Sequence, residues 1–219
     1  AGVRADFITA KLNDPAPDFE ALYGGEIKDE TEVNIGGNAS VKYQKNGFQT
    51  QFAVGRGIRT ASMTERFINH FNIGVDPYEY VGNPNLKPEI NNQIELSFSK
   101  KFESFEVGAS VFHSFLEDYI YGVENTNIHR KFMPTAPPVY AKQFVNIDKA
   151  SQTGFNFNFN VLATDKLLFT SYLSYLIAQN EELIESLAKL KLFMSQVGVK
   201  VDVNNIWVYY NAVLVVNVD

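Results

Sequence analysis

The stretch Gly154-Phe155-Asn156-Phe157-Asn158-Phe159-Asn160 sets phenylalanine and asparagine in strict alternation. Successive side chains of a β-strand point to opposite faces, so the segment would present its rings on one face and its amides on the other. Few soluble settings suit a strand whose one face is wholly aromatic. The pattern therefore predicts a sheet with an apolar medium on one side and a wet interior on the other, as in a transmembrane barrel.

The same alternation extends through most of the chain. Apolar and polar positions alternate along residues 33–43, 48–59, 93–99 and 105–111. Strand-like sequence also covers residues 1–12 and 205–217, and the latter is apolar on both faces. The pattern predicts an antiparallel sheet of about nine strands, many of them about ten residues long, which suits a tilted membrane crossing.

Alternation assigns each side chain to a face, and a register slip of one residue would invert every assignment. The predicted membrane-facing residues are Phe155, Phe157, Phe159, Phe48, Phe52, Ile94, Leu96 and Phe98. The predicted inward-facing residues are Asn156, Asn158, Gln49, Gln51, Glu95 and Ser97.

Short turns and long loops are predicted to alternate along the chain. Short turns are expected at Lys45-Asn46-Gly47, Glu103-Ser104 and Thr164-Asp165-Lys166, and long loops at 13–31, 60–88 and roughly 124–142. Outer-membrane barrels have short periplasmic turns and longer extracellular loops, so the alternation favours that class. Leucines at helical spacing in residues 181–193 predict a short amphipathic helix in a further loop.

Composition excludes several classes of protein. A net charge of -6 and a pI near 5.2 argue against a nucleic-acid partner. The absence of cysteine excludes disulfides and thiolate metal sites. Glu65, Asp76 and Glu79 lie near His70 in sequence, but nothing orients a base or offers an oxyanion site. No phosphate-binding loop or zinc-hydrolase helix is present, so neither an enzyme nor a cofactor is predicted.

Four segments carry a resemblance to a known family. They are Ile58-Arg59-Thr60-Ala61-Ser62-Met63-Thr64-Glu65, Gly82-Asn83-Pro84-Asn85-Leu86-Lys87-Pro88-Glu89 followed by Glu95-Leu96, Glu117-Asp118-Tyr119-Ile120, and Phe144-Val145-Asn146-Ile147-Asp148-Lys149-Ala150 followed by Gly154-Phe155. In this order they resemble the C-terminal half of the barrel of TonB-dependent outer-membrane receptors. The resemblance is dense over residues 31–162 and looser outside them.

The resemblance also has departures. These receptors close a barrel of about 22 strands around an N-terminal plug, which about nine strands cannot do. No plug-like segment, energy-coupling box or terminal aromatic strand is found in this sequence. Residues 1–219 are therefore expected to be a partial barrel domain, without its plug, of a longer receptor.

The resemblance implies active transport across the outer membrane of a Gram-negative bacterium. The ligand would be a metal chelate, a siderophore or a metal ion such as copper, and the TonB complex would supply energy through a plug outside this chain. Implied partners are this ligand and outer-membrane lipid. The stretch 59–66 is closer to the copper-receptor branch than to siderophore receptors.

The external loops and the upper lumen would hold the ligand. The candidate ligand-binding residues are Arg59, Glu65, Arg66, His70, Tyr78, Tyr80, Asn83 and Arg130. The candidate metal-binding residues are His70, His129 and Met133, because imidazole and thioether groups suit copper or zinc. The simpler alternative for each residue is an ordinary solvated loop side chain.

Two other functions fit parts of the sequence. A soluble β-sandwich or jelly roll that binds carbohydrate or protein would explain aromatic strands and proline-containing loops. It would require a second sheet over the three rings of residues 155–159. A passive porin or protein translocator is the nearer rival, and the segment from Asn83 to Glu89 argues against it.

Overall fold

The computed structural model describes residues 1–180, 190–203 and 206–217. The strands are β1 Gly2–Ala10, β2 Glu30–Lys45, β3 Phe48–Arg59, β4 Tyr80–Val81, β5 Glu89–Lys101, β6 Phe105–His129, β7 Tyr140–Thr164, β8 Leu167–Asn180, β9 Leu190–Val203 and β10 Ile206–Asn217. The helices are α1 Pro17–Leu22 and α2 Met63–Phe67. Apart from the two-residue β4, the described strands number nine, as the sequence predicts.

All described strands belong to one sheet. The order is β1-β2-β3-β5-β6-β7-β8-β9-β10, and these neighbours pair antiparallel, while β4 pairs parallel to β7. Within the described residues, β1 and β10 are the outer strands and each pairs with one neighbour. The predicted all-β, antiparallel architecture is confirmed.

Pairing confirms that the predicted residues divide between two faces of the sheet, because directly opposed residues of an antiparallel pair lie on the same face. Phe155, Phe157 and Phe159 oppose Val111, Ala109 and Val107 of β6, whereas Asn156 and Asn158 oppose Ser110 and Gly108. We call the phenylalanine side of the sheet the apolar face and the other side the amide face. The Phe155 residue is 47% exposed, and no second sheet of described residues exists to cover it.

The turns and loops separate to opposite ends of the sheet. Asn46 and Gly47 form the tight turn between β2 and β3, with φ angles of 49° and 74°. Two consecutive positive φ angles are typical of the type I′ turns that suit twisted hairpins. Short connections join β5 to β6 and β7 to β8 at the same end. Residues 11–29, 60–88 and 130–139 form the long loops at the opposite end, called here the long-loop end.

The prediction of a loop over residues 124–142 is wrong, because many of these residues form strand. Pairing between β6 and β7 continues past Glu124↔Lys142, which leaves a loop of residues 130–139. Pairing of β6 with β5 ends at Glu117, and pairing of β7 with β8 ends at Ala150. Among the described residues, 118–129 and 140–149 therefore extend past the paired parts of β5 and β8 as a two-stranded ribbon, the β6–β7 ribbon.

Other long connections also contain structure that the sequence did not predict. Helix α1 lies in the predicted loop 13–31, and α2 and β4 lie within residues 60–88. Of the predicted helix 181–193, residues 181–189 lie outside the described residues. Leu190 to Phe193 belong to β9, where Leu192 opposes Leu176 of β8, so the helix prediction is wrong for that part.

The buried apolar residues gather at the long-loop end. One cluster contains Ala61, Tyr80, Leu86, Ile120 and Phe144, and the other contains Phe19, Val81, Ile128 and Ala141. Both clusters combine ribbon residues with residues of the long connections. Among the described residues, no helix has the length and apolar character needed to cross a membrane.

Candidate ligand-binding loops

The loop of residues 60–88 reaches across the sheet to the β6–β7 ribbon. Its short strand β4 adds to the edge of β7, with Tyr80 opposite Lys142. The buried Tyr80 ring packs against Phe144, with ring centroids 5.4 Å apart, and lies over Gly122. Hydrogen bonding and ring packing therefore hold this loop on the amide-face side of the ribbon.

The other side of the ribbon is covered by the loop of residues 11–29. The buried Phe19 of α1 packs in one cluster with Val81 and Ala141. Gln143 Nε2 donates to the Tyr23 hydroxyl at 2.9 Å, and that hydroxyl donates to the carbonyl of Gly82. Two loops thus enclose the ribbon, which explains why its sequence does not alternate as a one-sided strand does.

A capping box starts the loop at the end of β3. The Ser62 hydroxyl accepts the Glu65 amide at 3.2 Å, and Glu65 Oε2 accepts the Ser62 amide at 2.7 Å. This reciprocal pair satisfies two free donors at the start of α2. Arg59 then bridges Glu65 and Glu89, with both ion-pair distances at 2.9 Å. The strand ends of β3 and β5 are fixed to α2 in this way.

Arg66 is the most deeply buried charge of the described residues at this end. It has no exposed surface, and its guanidinium pairs with Glu30 at 2.6 Å and with Glu32. The same group donates to the carbonyl of Pro84 at 2.9 Å. These charge-assisted bonds offset the cost of removing the guanidinium from water, and they tie α2 to β2.

Glu79 joins the loops of residues 60–88 and 130–139. Its carboxylate is 4% exposed, and it accepts the backbone amides of Lys131, Phe132 and Met133 at 2.7 to 3.3 Å. It also contacts His70 Nδ1 at 3.2 Å and Arg130 Nε at 3.4 Å. The Glu79 carboxylate is therefore a hydrogen-bond acceptor that links the loop of residues 60–88 to the loop of residues 130–139.

The environment of Glu79 favours its ionised form. Burial alone raises the pKa of this carboxyl, but the backbone amides of Lys131, Phe132 and Met133 together with His70 outweigh burial and lower the pKa. A lowered folded-state pKa contributes stability above the unfolded pKa, and this stability is lost as the pH falls through the folded pKa.

Acidification is therefore expected to loosen the loop of residues 130–139. Hydrogen exchange, corrected for intrinsic rates, should show reduced protection at Lys131, Phe132 and Met133 as the pH falls below 4.5, the ordinary pKa of a glutamate. Glu79→Gln should reproduce the loss at pH 7, by about 1.5–3 kcal/mol for bonds to a charged group. Glu124→Gln is the control, since Glu124 is exposed and accepts one bond, from Tyr78. Equal protection in both variants would contradict the role of Glu79.

A second polar group surrounds Lys142 of the ribbon. Its ammonium pairs with Asp76 and lies 4.5 Å from the centre of the Tyr78 ring. Burial raises the pKa of Asp76, but the bonds from Lys142, the Tyr78 amide and the Tyr80 hydroxyl outweigh it and lower the pKa. The Tyr78 and Tyr80 rings thus lie near the Lys142 ammonium, whose charge is already balanced by the Asp76 carboxylate.

Enlarging Gly122 tests the packing of the loop on the ribbon. An added Cβ would lie 2.5 Å from the Tyr80 ring, so Gly122→Val should displace that ring and cost about 1–3 kcal/mol. Hydrogen exchange at residues 78–81 measures the effect. Gly57→Ala is the control, because no atom lies within 4 Å of its added Cβ. Unchanged exchange in Gly122→Val would show that Tyr80 does not pack as described.

The structure brings most of the predicted site residues into these networks. Arg66, His70, Tyr80 and Arg130 are buried and bonded within the chain, Glu65 and Tyr78 are half-buried, and Arg59 is exposed. The half-buried Asn83 accepts the Asn85 amide through its side chain and donates its own amide to the Glu65 carbonyl. Their contact with a ligand remains a prediction.

The predicted metal residues are arranged less closely. His129 is exposed, with its ring 5.0 Å from that of Tyr140. Met133 is 57% exposed, and its amide reaches the same carboxylate as His70. Among the described residues, no group of three or more His, Cys, Asp or Glu could hold a metal ion. Metal binding by this trio remains a prediction.

Sequence reasoning did not assign a site role to several of these residues. The sequence patterns assign no site role to Glu30, Glu32 or Lys142, and they suggest Asp76 and Glu79 only as members of an acid-base cluster. Their partners lie far away in sequence: Glu79 bonds to residues 131–133, and Glu30 bonds to Arg66. No local motif could have revealed these contacts.

The comparison with family models decides the classification. Residues 1–197 match the model described as "TonB dependent receptor-like, beta-barrel". The chain belongs to this family. TonB-dependent receptors are transporters rather than enzymes, in agreement with the sequence prediction, and they reside in the outer membrane of Gram-negative bacteria.

Solved receptor structures share the fold of this TonB-dependent receptor barrel chain. The structure titled "Copper transporter OprC" matches with a TM-score of 0.61 and 13% identity, covering 80% of this chain and 25% of that chain. The siderophore receptor PirA from Pseudomonas aeruginosa matches with a TM-score of 0.56 and 15% identity, covering 85% and 37%. The FrpB iron transporter from Neisseria meningitidis matches with a TM-score of 0.53 and 12% identity, covering 85% and 27%.

The chain thus spans between 25% and 37% of the length of these receptors. At identities of 12% to 15%, the likeness shows the fold alone. A comparison with curated protein sequences finds no significant match.

Proposed function

We propose that residues 1–219 are part of the barrel domain of an outer-membrane receptor of a Gram-negative bacterium. The receptor imports a scarce ligand with energy from the TonB complex, delivered through a plug domain outside this chain. The observation that carries the proposal is the family match over residues 1–197. The single sheet, with one face rich in exposed phenylalanine, supports a wall between lipid and lumen.

The long-loop end supports a role in ligand capture. Ion pairs and buried clusters fix the loops of residues 11–29, 60–88 and 130–139 on the β6–β7 ribbon and on β2. A fixed arrangement lowers the ordering cost of binding. Exposed groups remain at this end for a ligand, including Arg59, His129 and Met133.

The cargo is a metal chelate, a siderophore or a metal ion such as copper. The solved relatives are named for copper, siderophore and iron transport. Exposed imidazole and thioether donors at His129 and Met133 favour copper among these.

Uptake by the native organism tests the proposal. Deletion of the gene that encodes this chain should reduce accumulation of radioactive copper or of an iron chelate, and a TonB deletion should reduce the same uptake. Uptake lost in the gene deletion but retained without TonB would indicate a passive pore. Recovery of the protein in the aqueous phase without detergent would support a soluble binding module instead.

The loop variants separate copper from the other cargoes. His129→Gln combined with Met133→Leu should lower copper uptake by about ten-fold if the two donors bind the ion, and should leave iron-chelate uptake unchanged. Phe132→Leu is the matched control, since Phe132 is an exposed neighbour without a metal donor. Equal copper uptake in all variants would exclude these two residues.

A further inference from the structure

Arg56 places a cation on the apolar face. It lies on β3 between Val54 and Ile58 on that face, and its register partner in β5 is Asn92. Neither strand contains a bulge that would turn the arginine to the amide face. The guanidinium is therefore presented on the side of the sheet that carries the phenylalanine rows.

The side chain of Arg56 has few polar partners. Its Nη1 donates to Asn92 Oδ1 at 3.1 Å, and Asn92 Nδ2 donates in turn to Glu117 Oε1 at 3.1 Å. Among the described residues, no carboxylate lies within ion-pair distance of Arg56. A neutral amide thus orients the guanidinium, and its other N–H groups are available for an external acceptor.

An apolar groove of about 690 Å³ lies beside Arg56 on the sheet. Its lining includes Val3, Ile35, Ala39, Val54, Ile94 and Phe115. The floor contains Gly37, where a Cβ would lie 2.9 Å from the carbonyl oxygen of Gly2. Because the close approach of β1 requires glycine there, the surface is left without a side chain next to Arg56.

We propose that this groove and Arg56 bind one membrane lipid that carries a phosphate. The acyl chain lies along the groove, and the guanidinium donates to the phosphate oxygens, a geometry that arginine matches well. A lone guanidinium facing hydrocarbon is costly, so a lipid phosphate compensates a charge that the described protein residues leave without a carboxylate partner. Arg56 lies nearer the long-loop end of β3, which places the lipid in the leaflet on that side. The proposal rests on the proposed membrane location.

Lipid titration of the intact receptor that contains this chain tests the site. Native mass spectrometry in detergent would compare retention of dioleoyl phosphatidic acid with that of dioleoylglycerol, which has the same chains without phosphate. Arg56→Gln should reduce retention of phosphatidic acid at least about five-fold and leave dioleoylglycerol unchanged. Ala39→Leu, which narrows the groove, should reduce retention of both lipids.

Two further variants keep the test specific. Arg4→Gln removes a cation from the amide face of β1, where Arg4 opposes Gly36, and should not change retention of either lipid. Arg56→Lys, which keeps the charge but loses the fork of donors, should give an intermediate loss of phosphatidic acid. Heat-modifiable migration in gels verifies that each variant is folded.

The outcomes separate this site from the receptor proposal. Equal lipid retention in Arg56→Gln and in the unaltered receptor, for a protein that fractionates with the outer membrane, would overturn the site and leave the receptor function intact. Loss of phosphatidic acid in Arg4→Gln to the same extent would also overturn it. A protein that fractionates with the soluble phase would overturn the membrane location on which the site depends.

Discussion

Replacement of Arg66 by alanine should release the loop of residues 60–88 from β2 and cost about 3–5 kcal/mol of local stability. The guanidinium has no exposed surface and pairs with Glu30 and with Glu32, whose side chain is 9% exposed. Its removal would leave Glu32 charged and buried without its cation. Hydrogen exchange at α2 and at residues 80–86, measured on the folded receptor, should report the loss.

A neighbouring ion pair provides the control. Lys87 pairs with Asp118 at 3.5 Å, but its side chain is 70% exposed, so Lys87→Ala should change stability by about 0.5 kcal/mol or less. Combining Arg66→Met with Glu32→Gln should recover part of the loss, because no buried carboxylate is then left unpaired. Equal exchange in Arg66→Ala and Lys87→Ala would show that burial does not decide the strength of the Arg66 pairs.

Phe157→Lys should destabilise the sheet by about 2–4 kcal/mol in a lipid bilayer. Phe157 lies in the middle of the phenylalanine row of β7, between Ala109 of β6 and Leu173 of β8. The lysine would bring a charge into the hydrocarbon if the apolar face contacts lipid. Denaturant unfolding of the receptor reconstituted in vesicles measures the effect.

The adjacent position gives the matched comparison. Asn158 lies on the amide face opposite Gly108, and Asn158→Ser should change stability by about 0.5 kcal/mol or less. Phe157→Leu keeps an apolar side chain and should cost far less than the lysine. Similar losses at positions 157 and 158 would indicate that the two faces of the sheet share one environment.

The strands that the sequence predicted well are those with one apolar side. Phe155, Phe157 and Phe159 lie two positions apart, and the pleat of a strand places residues at that spacing on one face. The tight turn could also be predicted from the sequence, because Asn46 and Gly47 tolerate the positive φ angles that a two-residue hairpin requires.

Segments enclosed by other parts of the chain were harder to predict. The β6–β7 ribbon has loops packed on both sides, so its residues, such as Gly122 and Glu124, show no simple alternation. Helix α1 begins after Ala16, which provides no side-chain cap, and it is only six residues long. Pro17 and the acidic residues Asp18 and Glu20 do mark the start of α1, but six residues are too few to show a helical period.

The candidate site was predictable in its location but not in its connections. Proline and polar residues marked residues 60–88 as a long loop, and many of the predicted site residues do meet there. The carboxylate of Glu79, however, finds its amide donors more than 50 positions away, and Arg66 finds its acids in β2. Such contacts depend on the tertiary arrangement of strands, which short-range sequence patterns do not contain.

The parallel pairing of β4 with β7 imposes an order on folding. Tyr80 and Val81 pair with residues that are synthesised about 60 positions later, and contacts of such large sequence separation form slowly. Before Lys142 and Gln143 have joined the sheet, β4 has no strand to pair with. Tyr80, Val81 and Leu86 then stay accessible to protease. Protease resistance of this loop should therefore appear late in biogenesis, after the β6–β7 ribbon has formed, and would report that assembly has passed that point.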